Sequence, residues 1–436
     1  MKKLTSIIAC LALSAITLSA CSNGIKPLNN DYKRNTDIGV TYNYTDGTEQ
    51  PPSIYNTYAS YATDLELKIF RNYVKQNKAD KSFVISPVNT VLQIGLLANG
   101  GADRTGYELT NMLGTDMNLS NINICSSYFK SRLQAVSQAQ SGKTDSLSGK
   151  QTDTVEEYVK LENNLIFNDT VDVKSSFLQS ATDFYLSDVF RMPFEEENSL
   201  SDVNSLFTDF TSEKPFSTFN NKHNLITASA SSMSDKWLIS YNKDKISKGV
   251  FNGKSGSRDC VYLESTENVL KTDNAKAVLK YTKSNPLKVM FIMPNEGISL
   301  DEYISDFTNL EYSNLLESFN VTKRETVRFP EFTINSTGKA ESMKSILENC
   351  GLKTAFTEDS SFSGLSHSDD VFINDIYEIN PNFALTAEGI TTEKSTMSVA
   401  NQTASADEKV FELNRSFLFV VLDNESNIPV YIGAVV

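Results

Sequence analysis

The chain ends on the sequence RSFLFVVLDNESNIPVYIGAVV, residues 415–436, in which two apolar runs flank a polar turn. The runs cover 417–422 and 429–435, and the turn between them reads Asp-Asn-Glu-Ser-Asn. Runs of β-branched and aromatic residues on both sides of a short polar turn are typical of a β-hairpin. The sequence therefore predicts that the chain closes with two core strands.

Further strands and helices are predicted upstream of this hairpin. Residues 287–293 form an apolar strand that Pro294 stops, and 326–334 alternate between apolar and polar residues. Helices are predicted over 89–98, over 105–113 and from Ser336 to Cys350, where Gly351 follows as a stop. Because helices come first and strands dominate the end, we expect an α+β domain with large sheets.

The first 21 residues carry the features of an export signal. Lys2 and Lys3 give a positive start, and residues 7–16 are apolar but too short to span a membrane. Residues 18–21, Leu-Ser-Ala-Cys, resemble a bacterial lipobox, which implies cleavage before Cys21 and lipidation of its thiol. An ordinary signal peptide is the alternative, because small residues before the cut are expected of both. Either way we expect an extracellular protein, lipid-anchored to the bacterial membrane or secreted.

The remaining chain divides into a linker and one domain. Residues 22–58 are rich in Asn, Thr, Tyr, Gly and Pro and have no apolar period. This composition predicts a flexible tether that holds the domain away from the membrane. Residues 59–436 are then predicted to form a single domain.

Charge and composition exclude several classes of function. The net charge is −14 and no basic stripe is present, which argues against nucleic-acid binding. Cys125, Cys260 and Cys350 are widely spaced, and His223 and His367 lie in polar surroundings. These residues provide neither a zinc motif nor the parts of a histidine-based catalytic triad. We therefore expect no catalytic residue, no metal site and no cofactor.

Six segments in the last third of the chain occur in an order that carries a family resemblance. They are 327–332, 343–354, 355–365, 388–389, 413–419 and 431–435. Together they resemble the serpin family of serine protease inhibitors. Any one segment is a weak signal, whereas six in the family's order are a strong one. The resemblance implies a serpin fold with about nine helices, three β-sheets and an exposed reactive-centre loop, in a protein that is not an enzyme.

The part of the chain before residue 327 is similar to the same family more loosely. Residues 83–89, 100–114 and 287–297 resemble family segments, and Trp237 falls where the family places a Trp. The run 229–236 that precedes this Trp departs from the family's pattern. Ser229, where the family has Asn, is one such departure, and Asn380, near where it often has His, is another.

The segment 390–410 has the composition of a strand but the position of an exposed loop. It is small, polar and free of Gly and Pro, whereas a flexible linker would be rich in Gly. Thr, Ser and Val suit a strand. The resemblance implies that Glu388, Gly389, Ile390, Thr391 and Thr392 form the hinge of this loop. It also implies a suicide mechanism, in which a protease cuts the loop and the loop then inserts into the main sheet.

The reactive bond is placed by two counts that differ by two residues. Counting from Gly389, family spacing puts it at Thr403-Ala404, and counting back from Leu413 puts it at Ser405-Ala406. All four candidates are small and uncharged, which suits a shallow apolar pocket rather than a trypsin-like one. The expected partner is therefore an elastase-like or subtilisin-like serine protease, bound by a monomer.

Two charges argue against inhibition. Glu393 and Lys394 interrupt the run of small residues that inhibitory serpins tend to have after the hinge. Successive residues of a strand face opposite sides. If Ile390 and Thr392 face inward, Lys394 follows them inward and could slow insertion. A non-inhibitory serpin that acts as a protease substrate or binding module therefore remains the alternative. A lipid-anchored hydrolase is a weaker one, because the sequence has no G-x-S-x-G motif.

Overall fold

A computed structural model describes residues 25–35, 51–140, 157–219, 224–284, 286–321, 324–368, 370–393, 397 and 410–436. Cys21, Lys394 and the four reactive-bond candidates Thr403, Ala404, Ser405 and Ala406 lie outside these residues. In the described part of the chain, no helix combines the length and apolar character needed to cross a membrane.

The helices lie mostly in the first half of the chain, as predicted. They are α1 (Tyr55–Asn77), α2 (Pro87–Ala98), α3 (Asp103–Met112), α4 (Leu119–Gln140), α5 (Ser175–Ser180), α6 (Glu197–Ser205), α7 (Leu300–Asp306), α8 (Asn309–Glu317) and α9 (Lys344–Cys350). A π-helical turn, Ala181–Tyr185, continues α5.

The strands fall into two hydrogen-bonded sheets. Those before residue 300 are β1 (Phe83–Ile85), β2 (Tyr158–Asn168), β3 (Val189–Met192), β4 (Leu225–Lys236), β5 (Ile246–Gly253), β6 (Gly256–Lys271), β7 (Ala275–Tyr281) and β8 (Leu287–Pro294). Those of the second half are β9 (Arg324–Pro330), β10 (Phe332–Ile334), β11 (Ala340–Ser342), β12 (Asp375–Ile379), β13 (Phe383–Leu385), β14 (Gly389–Thr391), β15 (Val410–Glu412), β16 (Phe417–Asp423) and β17 (Pro429–Val435).

The nine-stranded sheet has two parts joined by the long strand β6. Its first part holds β1, β17, β16, β8 and β7, and the last residues of β6 pair with β7. Its second part holds β5 and β9, which pair with the earlier residues of β6, and β15, which pairs with β9. With the separate eight-stranded sheet, these parts account for the three sheets that the family resemblance implied.

The predicted closing hairpin forms strands β16 and β17. Every residue of both strands is buried, because β16 lies between β8 and β17 and the hairpin packs against the rest of the core. A Cβ on Gly433 would lie 2.4 Å from the ring of Phe419 and 2.6 Å from the carbonyl oxygen of Phe83. Glycine at this position therefore allows β1 and β16 to close on β17.

The eight-stranded sheet is organised around β4. Strand β2 pairs with one edge of β4 along ten positions and continues to β3. The other edge pairs with β12 in parallel over Ile226–Ala230 and with β14 in antiparallel over Ser234–Lys236. Helix α2 is buried along its whole length between this sheet and β17. A single edge of β4 thus has two different neighbours, one below the other.

The structure differs from the sequence predictions in two segments. Residues 25–35, within the predicted tether, lie on the body of the protein. The backbone N–H of Leu28 donates to the carbonyl of Val189 over 2.7 Å, and Arg34 donates to the hydroxyls of Ser127 and Ser131. Helix α1 already begins at Tyr55, which is buried.

The helix predicted from Ser336 to Cys350 is wrong in its first half. Residues Ala340–Ser342 form strand β11, and helix α9 begins only at Lys344. Gly338 has a φ of 64° and contacts Thr211 and Glu213, which is incompatible with a continuous helix. The apolar spacing does mark α9, but the helix starts later than predicted.

Candidate functional site: the hinge inserted in the sheet

Three of the five residues predicted to form the hinge, Gly389–Thr391, are a strand of the eight-stranded sheet. In β14, Gly389 lies opposite Lys236, Ile390 opposite Asp235 and Thr391 opposite Ser234. On its other side β14 pairs with β13, antiparallel at both edges. The start of the loop is therefore wedged between two strands.

The insertion ends at Thr392, the residue that follows β14. The N–H of Thr392 donates to the carbonyl of Met233 over 2.9 Å, and the N–H of Met233 donates to the hydroxyl of Thr392 over the same distance. Below this point β4 pairs directly with β12, from Ala230 to Ile226. The loop therefore separates β4 from β13 above Met233, whereas β4 and β12 are paired with each other below it. Further insertion would separate these two strands.

Buried polar contacts fix the base of the hinge. The backbone N–H of Trp237 donates to the carbonyl of Glu388, and its indole N–H donates to that of Thr386 over 2.8 Å. The N–H of Ala387 donates to the carboxylate of Glu331 over 2.6 Å. The hinge leaves this base through Gly389.

Gly389 is needed because β14 approaches β4 closely. A Cβ at this position would lie 2.0 Å from the carbonyl oxygen of Asp235 and 2.8 Å from the Cα of Lys236. Neither backbone atom can move away without breaking the sheet. The close approach therefore requires glycine here, at a residue for which the family resemblance implies a role in the hinge.

The hinge side chains alternate between the two faces of the sheet. Ile390 and Thr392 are 1% and 8% exposed, whereas Glu393 is exposed. The hydroxyl of Tyr158, the first residue of β2, donates to the carboxylate of Glu393 over 2.6 Å. Burial, and then the carboxylate beside it, raise the pKa of Tyr158. The exposed charge that follows the hinge thus has a partner two strands away.

The interior beneath the closed part of the sheet is polar. Glu378 of β12 is 1% exposed; its carboxylate accepts from the N–H of Ser86 and lies 3.4 Å from the hydroxyl of Thr90 at the start of α2. Burial raises the pKa of Glu378 to about 7. The hydroxyls of Ser231 and Tyr431 adjoin each other, yet neither forms a well-made hydrogen bond to a described residue. Buried polar groups without partners are rare in folded proteins and call for an explanation.

The loop leaves one sheet and returns to the other. Between Glu393 and Val410 only Met397 is described, and at Val410 β15 pairs in parallel with β9. The reactive-bond candidates Thr403 to Ala406 fall between these two points, outside the described residues, so their placement stays a prediction. Within the described residues, no cluster of His, Cys, Asp or Glu could hold a metal ion.

Sequence reasoning missed the residues that position the hinge. Tyr158 and Glu331 lie far from residue 388 in the chain, and no motif marks either of them. They are recognised only once the fold brings Tyr158 within reach of Glu393 and Glu331 beside Ala387. The family resemblance marks Trp237 but gives no sign of its bonds to Thr386 and Glu388.

Comparisons with known proteins agree with this architecture. A family model described as Serpin (serine protease inhibitor) matches residues 60–436. A serine protease inhibitor of Rattus norvegicus is 20% identical over 393 residues, which cover 87% of this chain and 89% of that protein. The native state of the thermophilic serpin Tengpin superposes with a TM-score of 0.74 at 21% identity, over 94% of this chain and 99% of that one. Human thyroxine-binding globulin also superposes, with a TM-score of 0.69 at 16% identity, over 88% and 98% of the two chains.

Proposed function

This chain belongs to the serpin family, and from that premise we propose that it inhibits a serine protease by a suicide mechanism. The observation that carries the proposal is the inserted hinge. Residues 389–391 already pair on both sides as a strand, and Thr392 continues the register. A loop that begins as a strand of the sheet has a direct path for the rest of its length.

The loop is long enough to pair with the whole of β4, which has 12 residues. Gly389 through Thr403 is 15 residues, or about 50 Å as a strand. Insertion would replace the parallel pairing of β4 with β12 by antiparallel pairing of the loop with both strands. Antiparallel pairs are slightly more stable per residue, and the loop adds a whole strand of hydrogen bonds.

We further propose that the loop is cut at Thr403-Ala404 or at Ser405-Ala406. The protease would be elastase-like or subtilisin-like, because these side chains are small and uncharged. The protease supplies the nucleophile, and an acyl-enzyme bond holds it to the new end of the loop. Insertion then pulls the attached protease along the sheet and distorts it. The inhibitor acts as a monomer and contributes no catalytic residue.

The alternative function is that of a non-inhibitory serpin, cut as a substrate or used as a binding module. The charges of Glu393 and Lys394 favour it, because they enter the sheet before the reactive bond does. The similarity to thyroxine-binding globulin does not decide between the inhibitory and the non-inhibitory function, because at 16% identity it concerns the fold alone.

Export and lipid anchoring through Cys21 complete the proposal. Because Ile25 already packs against the body, only residues 22–24 would separate the anchor from the folded protein. The domain would then stand close to the membrane rather than on a long tether. Mass spectrometry of the mature N-terminus tests this point: a diacylglyceryl Cys21 supports anchoring, and an unmodified N-terminus contradicts it.

The test of inhibition mixes the protein lacking residues 1–22 with an elastase-like protease. We expect a band at the summed mass of both proteins that survives boiling in detergent, and a released peptide that begins at Ala404 or Ala406. Protease whose active-site serine has been sulfonylated is the control and should give no band. Complete cleavage of the loop without such a band would favour the substrate alternative.

A further inference from the structure

The two charges that follow the hinge meet the sheet at positions that the existing register fixes. Since Gly389 lies opposite Lys236 and Thr391 opposite Ser234, Glu393 comes opposite Ser232 and Lys394 opposite Ser231 when the loop inserts. Alternation then puts Glu393 on the outer face and Lys394 on the inner face, as it already puts Thr391 outside and Thr392 inside. Each charge therefore needs a partner on its own face.

The outer partner, Tyr158, already forms a hydrogen bond with Glu393. Tyr158 pairs with Ser234 across the β2–β4 ladder, so its side chain must cross β4 to reach Glu393 over 2.6 Å. It crosses above Ser232, whose side chain is small enough to leave room and lies within hydrogen-bonding range of the hydroxyl. The position that Glu393 takes on insertion is thus the position at which Tyr158 already holds its carboxylate.

The inner partners are buried polar groups on β4, β12 and β17. Ser231 faces the interior beside Tyr431, and both hydroxyls are buried without a well-made hydrogen bond to a described residue. The carboxyl of Glu378 is buried in the same region, opposite Ser229 on β4. The register of β14 with β13, continued, puts Lys394 opposite Pro381, three residues or about 10 Å along the strand from Glu378. The side chains of a lysine and a glutamate can together span this distance. Two such hydroxyls and a buried acid form a setting that a single ammonium group would complete.

We propose that the sheet contains a preformed receptor for each charge of the loop, Tyr158 for Glu393 and the Ser231–Tyr431–Glu378 group for Lys394. The inference rests on the proposed function, because it describes the inserted loop. In this account the charged pair does not obstruct insertion. It selects the register in which the loop enters, and Lys394 then binds to the polar groups beneath β4.

Chemical labelling of lysines tests the inner receptor in the full mature chain. Thermolysin, a metalloprotease that forms no acyl-enzyme, would cut the loop, and acetic anhydride would label the amines of the intact and the cut protein. We expect Lys394 to react at least tenfold more slowly after the cut, while Lys409 reacts equally in both forms as the internal control. If the cut raises the melting temperature but Lys394 stays reactive, the receptor is wrong and the mechanism stands. If the cut leaves the melting temperature unchanged, both are wrong.

A double-substitution cycle in the cut protein separates a specific receptor from simple burial. We expect E378Q alone to reduce the rise in melting temperature on cleavage, and K394M to remove that effect when combined with it. K409M is the matched control and should leave the effect of E378Q unchanged. Effects of E378Q and K394M that merely add would overturn the pairing of Glu378 with Lys394.

Amide exchange in the uncut protein tests the outer receptor without a protease. We expect Y158F to speed hydrogen exchange in the peptide that covers 389–393 by at least threefold, because Glu393 loses its hydrogen bond from Tyr158. Y107F, at a tyrosine that is 66% exposed on α3, is the control and should have no effect. Unchanged exchange in Y158F would contradict the role of Tyr158.

Discussion

The two sheets of this protein differ in how firmly their strands are held. In the nine-stranded sheet, β8, β16 and β17 are buried at every position, and the ring of Phe419 packs against those of Phe332 and Phe383. In the eight-stranded sheet, the central strand β4 reads LITASASSMSDK and offers small or polar side chains to both faces. The first sheet is fixed by interlocking apolar groups, whereas in the second β4 brings mainly small side chains to the line where the sheet would open.

The difference shows how one chain combines a permanent core with a sheet that changes. Removing an apolar side chain from a packed core leaves a cavity, so strands of the first sheet cannot separate cheaply. On the β4 side, separating β4 from β12 uncovers mainly serine, alanine and threonine, and the hydrogen bonds lost are replaced by those of the loop. Each of the following predictions substitutes one residue in one of the two sheets.

The largest effect is expected from Gly389→Val, which removes the entry to the changeable sheet. Its side chain would collide with the carbonyl of Asp235. We expect the yield of covalent complex to fall about tenfold or more, because about 1.4 kcal/mol in the partition between trapping and release already gives that factor. Gel analysis at equal cleavage measures it, and the intact variant should still melt cooperatively. An unchanged yield would mean that the loop enters elsewhere.

Phe419→Ala tests the fixed sheet. Phe419 is fully buried between the sheets, so we expect the free energy of unfolding to fall by about 3–5 kcal/mol. Denaturant unfolding of the intact and the cut protein measures it, and both forms should lose similar amounts because this sheet does not change. A loss confined to the intact form would show that the nine-stranded sheet also rearranges.

Glu378→Gln tests the polar interior of the changeable sheet through its pH dependence. The pKa of Glu378 is raised to about 7, so its neutral form stabilises the fold fully below the ordinary value near 4.5, and this contribution is lost as pH rises through 7. We expect the wild-type protein to lose up to about 3 kcal/mol between these pH values relative to E378Q.

The comparison with the variant isolates Glu378 from its titratable neighbours. Besides burial, the charge of Glu341 on β11 raises the pKa of Glu378, and the charge of Glu378 contributes to the raised pKa of Tyr73 on α1 and of Tyr431 on β17. Chemical denaturation of both proteins at pH 5, 6, 7 and 8 gives the difference. Parallel pH curves would show that Glu378 titrates normally.

Ser231→Ala should have the smallest effect and the opposite sign. It removes a buried hydroxyl that has no well-made hydrogen bond, so we expect the intact protein to gain about 1 kcal/mol. Ser234→Ala, on the other face of the same strand, is the matched control and should change stability less. A loss of stability in S231A would mean that this hydroxyl already has a firm partner in the uncut protein.

Sequence patterns predict the fixed parts of the molecule well. Closing strands are predicted at 417–422 and 429–435, and the structure has Phe417–Asp423 and Pro429–Val435. The helix predicted at 89–98 is Pro87–Ala98. These elements are apolar along their length, and burial of their own residues determines them.

The changeable parts are much harder to predict. Strand β4 has no strong apolar alternation, because its residues are small rather than shaped to pack. The docking of residues 25–35 depends on side-chain bonds such as Arg34 to Ser127, which no local period reveals. The contact of Tyr158 with Glu393 joins residues 235 apart. Long-range polar contacts on small-residue strands leave no pattern in the sequence, and the hinge depends on them.

The most direct test of the account is the melting temperature of the protein before and after a single cut within 397–406. Insertion would add a strand with partners on both sides, so we expect a rise of more than about 10 °C, at a few degrees for each kcal/mol gained. Protein cut with the hinge blocked by Gly389→Val should show little or no rise. An equal or lower melting temperature in the cut wild-type protein would contradict the claim that its loop enters the sheet.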